Sequence, residues 1–174
     1  FALSDLFRSY DMQLQAHLDF ISGKKKAFSP PPGSSMHEAG RAFDVDLKAL
    51  RMSLADFWRI AKESSVVPII AEPNPRASEA WHFECRGSHQ LVYDYYKAGK
   101  ATNFNPAAAM AASAIVSAGL KHDRFKGKEQ AAYLQSGLIR LGGEIGNIDG
   151  AIGPKTNAVL ANLRITGSTR EEQI

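Results

Sequence analysis

Ser35-Met36-His37-Glu38-Ala39-Gly40-Arg41-Ala42-Phe43-Asp44-Val45-Asp46 reads as a loop that runs into a strand. Gly40 lets the chain turn. From Ala42 onward apolar and polar residues alternate, the period of a half-buried strand. Asp44 falls on the strand and His37 on the loop before it, so the turn can bring the imidazole back to the carboxylate. Further along, Glu79-Ala80-Trp81-His82-Phe83-Glu84 reads as a second strand over 80–84. His82 and Glu84 share one face of it, and Trp81 and Phe83 the other. Glu79 precedes His82 by three and belongs at the strand's entry, where the backbone bends.

Around these two strands the spacing of Leu14, Leu18 and Ile21 predicts a helix over 10–22. Ser29-Pro30-Pro31-Pro32-Gly33 is a loop, since proline neither continues a helix nor sits in a central strand. Ser53, with Asp56 three residues on, caps a helix carrying Leu54, Phe57, Trp58 and Ala61. A third strand is expected over 66–70, and Ser88 starts a helix with Leu91, Tyr95 and Tyr96. Such irregular alternation implies α+β with a small antiparallel sheet and flanking helices, rather than a doubly wound parallel sheet.

Residues 1–100 hold both tryptophans and most of the aromatics, whereas 105–165 are rich in Ala, Gly and Leu. The turn-forming Gly99–Pro106 stretch between them is a linker. The expected domains are therefore 1–100 and a small three-helix domain over 107–168, with helices near 106–119, 128–142 and 154–164. Gly119 and Gly142 stand where helices stop.

Composition is that of a globular chain. The longest apolar run, 107–116, is far short of the ~18–20 residues of a membrane span. Phe1-Ala2-Leu3-Ser4-Asp5 lacks the basic start and apolar core of a signal peptide. The chain opens without methionine, which reads as processing or trimming and leaves export open. One cysteine, Cys85, excludes an internal disulfide framework and a multi-cysteine zinc cluster. A net charge of +3 suits an anionic polymer. No dense basic patch with interleaved aromatics points to nucleic acid, and Lys24-Lys25-Lys26 reads as a solvated turn.

A catalytic zinc takes three protein ligands from His and carboxylate and keeps one position open. His37, Asp44 and His82 supply that set. Glu79 is then left as a base, with Glu84 as its rival because Glu84 shares a face with His82. Taken singly, each segment is ordinary surface or core chemistry. Together they hold the ligand types and a spare carboxylate.

The pattern Ser-x-His-x-x-Gly-x-Ala-x-Asp followed by Glu-x-Trp-His, filled by Ser35, His37, Gly40, Ala42, Asp44, Glu79, Trp81 and His82, resembles the zinc D-alanyl-D-alanine carboxypeptidase family. Vancomycin-resistance D,D-peptidases, L,D-carboxypeptidases and phage endolysin peptidases also belong to that family. The resemblance implies a zinc peptidase fold shared with hedgehog domains, and zinc on His37, Asp44 and His82. It makes Glu79 the general base and acid, and Ser35 and Trp81 substrate contacts. Phe7-Arg8-Ser9-Tyr10 with Gln13 matches the family's arginine element, which assigns Arg8 to the developing oxyanion. His17, His89 and His122 lie outside the pattern, the last two reading as surface helix histidines.

Asp149-Gly150-Ala151-Ile152-Gly153-Pro154-Lys155-Thr156 is a turn followed by a proline-started helix. With Tyr133-Leu134-Gln135 before it, this resembles the type 1 peptidoglycan-binding domain. Together the two resemblances imply a peptidoglycan stem-peptide carboxypeptidase of the bacterial envelope, periplasmic or secreted, or of a phage lysis system. The alternatives are a wall endopeptidase of the endolysin type and a non-catalytic zinc module.

Overall fold

The structure, a computed structural model, describes residues 2–164. The end of the expected wall-binding domain, 165–168, lies outside the described residues. Tertiary contacts divide the chain between Gly87 and Ser88 into two compact units.

The first unit contains β1 (Leu3–Asp5), α1 (Tyr10–Ile21), β2 (Ala42–Val45), α2 (Leu54–Glu63), β3 (Val67–Pro68) and β4 (His82–Glu84). The strands form one antiparallel sheet in the order β1-β2-β4-β3. Phe43 pairs with Phe83 and Asp44 with His82, so one face is apolar and the other carries the site. On the apolar face Phe83 stacks on Phe43 at 5.9 Å and meets Phe57 edge-on at 5.0 Å. Val45, Leu54, Ala61 and Ala80 complete that core. Ser53 caps α2 by accepting from the Asp56 N–H at 3.1 Å, an interaction worth about 1 kcal/mol.

The sheet differs from expectation at both edges. β1 is a fourth strand that the sequence did not announce, because its side chains are mostly exposed and show no burial alternation. β3 shrinks to Val67–Pro68, with proline tolerated because the strand lies at an edge. α1 forms as expected but is not anchored by its leucines. Leu18 and Ile21 are 44% and 62% exposed, while Gln13 is fully buried.

The second unit packs α3 (His89–Lys97), α4 (Pro106–Ser117), α5 (Glu129–Arg140) and α6 (Pro154–Asn162). Among the described residues α4, α5 and α6 are the three helices expected over 106–164, and α3 is the helix expected within 1–100. Val92, Tyr95 and Tyr96 of α3 share one apolar cluster with Ala109, Ala112 and Val116 of α4, so α3 sits beyond the division and not with residues 1–87. α4 starts at Pro106 behind an Asn105 cap and is buried throughout 108–116. Among the described residues no helix is long and apolar enough to cross a membrane.

Candidate metal centre

The loop before β2 is braced from inside. The Glu38 carboxylate accepts the Gly33 N–H at 2.9 and 3.0 Å and the Ser35 N–H at 3.3 Å. The Ser35 hydroxyl accepts the His37 N–H at 3.3 Å. Gly40, at φ +64°, closes a turn in which its N–H reaches the His37 carbonyl at 3.1 Å. Burial pushes the Glu38 carboxyl upward, against the lowering effect of its backbone donors.

This brace delivers His37, only 2% exposed, to the sheet. Its Nδ1 lies 2.5 Å from the Leu6 carbonyl oxygen. A carbonyl can only accept, so Nδ1 carries the proton and Nε2 is left with its lone pair. That lone pair faces His82 Nδ1 at 3.2 Å and Asp44 Oδ1 at 3.3 Å. The third edge, His82 Nδ1 to Asp44 Oδ1, is 2.9 Å. Three buried ligand atoms thus converge on one point, and the group could hold a metal ion.

The three buried groups shift one another's protonation. Burial lowers the pKa of His82, but its hydrogen bonds to Asp44 and Glu84 outweigh this and hold it up at about 9. Burial raises Asp44, yet the two imidazoles beside it bring its carboxyl well below the usual range. For Glu84 the raising effect of burial is likewise exceeded by the His82 hydrogen bond and the Arg86 charge.

Glu79 stands at the entry to β4 in a left-handed conformation, φ +65°, which costs a non-glycine residue about 1–2 kcal/mol. Its carbonyl accepts from the His82 N–H at 3.0 Å, making the bend into the strand. Its Oε1 is buried with no hydrogen-bond partner, a desolvation cost of roughly 1–3 kcal/mol. Burial raises its pKa, the His82 charge opposes this, and Asp44 adds to the rise. Two unfavourable features thus fall on one carboxylate near His82 and Asp44.

Arg8 is 8% exposed and firmly held. Its Nε and Nη2 donate to Asp5 Oδ2 at 2.8 and 2.7 Å, and Nη1 to Gln13 Oε1 at 3.2 Å. Gln13 donates in turn to the Pro30 carbonyl at 2.6 Å. Arg8 Nη2 also lies 3.7 Å from Asp44 Oδ2, so Asp44 turns one oxygen to the histidines and the other to the arginine. Trp81 is half-buried, and its carbonyl accepts from the Val45 N–H at 2.9 Å.

Sequence reasoning placed Gln13 in the arginine element but gave no role to Glu38, nor to the Leu6 carbonyl, which has no signature because any residue supplies one. It also misjudged two histidines. His89 and His122 are buried, not surface groups: His89 Nδ1 lies 2.9 Å from the Ser113 hydroxyl of α4, and His122 packs between Phe104 and Phe125. His17 contacts the Ser29 carbonyl at 2.8 Å. In the second unit, buried Gln135 braces the 149–151 loop. Its Oε1 accepts from the Asp149 and Gly150 N–H groups, and its Nε2 donates to Asp149 Oδ1 and the Ala151 carbonyl.

A scan against protein-family models gives no match, and searches of curated proteins and of solved structures give none.

Proposed function

We propose that the first unit is a zinc peptidase of the D-alanyl-D-alanine carboxypeptidase type acting on peptidoglycan stem peptides, and that the second unit binds the cell wall. The observation that carries this reading is the unpartnered, buried Oε1 of Glu79 beside a two-histidine, one-carboxylate cluster. A purely structural metal site has no use for such a group.

Zinc fits the donor set. A tetrahedral site with bonds of about 2.0–2.1 Å has ligand–ligand edges of roughly 3.3–3.4 Å, close to the 3.2 and 3.3 Å edges here and slightly above the 2.9 Å one. His37, Asp44 and His82 would hold the zinc, which would supply Lewis acidity toward a carbonyl and a bound water of pKa about 7. Glu79 takes the proton of the attacking water and passes it to the leaving amine. Burial raises its pKa, which favours its holding the proton between the two transfers. Arg8, fixed by Asp5 and Gln13, stabilises the negative charge that develops on the substrate oxygen, and needs no reorganisation to do so.

The substrate class comes from the resemblance of the two motifs. The Asp149–Gly153 loop of the second unit points to the same polymer and would raise local substrate concentration by tethering. The setting that follows is a bacterial envelope or a phage lysis system. The test is hydrolysis of purified muropeptides by zinc-loaded protein, with products identified by mass. Wild type releases terminal D-alanine, and Glu79→Gln falls by about 10²–10⁴-fold while retaining zinc. Cleavage inside the stem would make the enzyme an endopeptidase. No cleavage by zinc-bound wild type would overturn the peptidase reading.

A further inference from the structure

Glu84 plays no part in the chemistry above, yet it is a carboxylate only 7% exposed, two residues beyond a ligand on the same strand. That two-residue step places it on the His82 face of β4. Directly across the ladder is Ala42, whose small side chain leaves that face open to a longer neighbour. The two Glu84 oxygens are divided: Oε1 lies 3.4 Å from His82 Nε2, and Oε2 accepts from Arg86 Nε at 2.6 Å. A surface ion pair between Glu84 and Arg86 would need neither the burial nor the first of these contacts. His82 has two ring nitrogens and one proton when neutral, so a carboxylate at Nε2 decides that Nδ1 presents the lone pair.

We propose that Glu84 is a positioning residue for the metal centre. It accepts the Nε2 proton of His82, fixes the ring in the tautomer whose Nδ1 faces Asp44 and His37, and is itself held in place by Arg86. His37 is set by the same device with a different acceptor, the Leu6 carbonyl. The two imidazoles are thus oriented by unlike partners, one neutral and one charged. The charged one makes His82 the stronger donor. This inference rests on the metal reading of the site and is independent of peptidase activity.

The experiment measures zinc affinity of the full chain by competition with a chromogenic chelator, and records the visible spectrum of the cobalt-loaded protein. Glu84→Ala should lose about 10–100-fold in zinc affinity and shift the cobalt bands. Glu84→Gln, which keeps an accepting oxygen but loses the charge, should recover part of that affinity. Arg86→Ala should weaken zinc less than Glu84→Ala does. A folded Glu84→Ala with zinc affinity within about twofold of wild type and an unchanged cobalt spectrum would overturn the proposal. If Glu84→Ala does not fold, Glu84→Gln and Arg86→Ala decide by the same two readouts. Wild type that binds no zinc overturns the metal reading and this inference together. Wild type that binds zinc through a Glu84-dependent site but leaves muropeptides intact supports this inference and overturns only the peptidase.

Discussion

On one face of β2 and β4 the buried side chains include Arg8, His37, Asp44, His82 and Glu84, whereas α3, α4, α5 and α6 enclose Val92, Leu138, Ile139 and Leu160 together with Phe125 and Ile148 from the loops. Among the described residues the apolar cluster of the first unit is correspondingly small, six buried residues from Val45 to Phe83 against fifteen in the second unit. Burying charge is unfavourable unless each group is paired and hydrogen-bonded. The first unit meets that condition nearly everywhere and fails it at Glu79. The first interior is therefore built around paired polar groups that could hold a metal ion, and the second around exclusion of water. The lesson is that the two should respond to opposite perturbations.

The largest expected effect is of ligand on the first unit. Zinc at about 1,000 times its dissociation constant should stabilise it by about 4 kcal/mol. Native-state hydrogen exchange checks this: amides of β2 and β4 should slow by roughly three orders of magnitude when zinc is added, and Asp44→Ala should abolish the response. Unchanged exchange in these strands would mean that the polar interior is self-sufficient, and the comparison would break.

Next in size is the loss of a core side chain from the second unit. Leu138 is fully buried on α5, and Leu138→Ala should cost about 3 kcal/mol in denaturant-induced unfolding. A loss below about 1 kcal/mol would show that the helices repack around the hole, and that their core is less tightly specified than its burial implies.

Elements with a local signal were legible in the sequence. Ser53 and Asp56 announced α2, and Gly119 and Gly142 the ends of α4 and α5, both at positive φ. The convergence of His37, Asp44 and His82 was also legible, because alternation fixes strand faces and Gly40 permits the return. What escaped depended on partners distant in sequence. β1 exists only by pairing with β2, and α3 belongs to the second unit only because Tyr95 and Tyr96 find an apolar surface there. The burial of His89 depends on Ser113, twenty-four residues on. Glu84 was visible as a residue sharing a face with His82, but its division between His82 and Arg86 is a matter of geometry.

The smallest expected effect isolates the Glu79 carboxylate, which has a buried oxygen without a partner. Burial raises the folded-state pKa of Glu79 above its ordinary 4.5. A carboxyl raised in this way favours folding while protonated and loses that contribution as pH rises through the folded pKa. Metal-free wild type should therefore give up stability relative to Glu79→Gln on going from acid to neutral pH. The gap should open near pH 4.5, where the unfolded carboxyl ionises, and level off above the folded pKa. Histidine and aspartate titrations common to both proteins largely cancel in this difference, although the charge on His82 couples to Glu79 and narrows it. Urea unfolding of both proteins in chelator across this range makes the measurement. Parallel curves would show that Glu79 finds a partner in solution, and the group singled out as the base would lose its claim to be held in reserve for substrate.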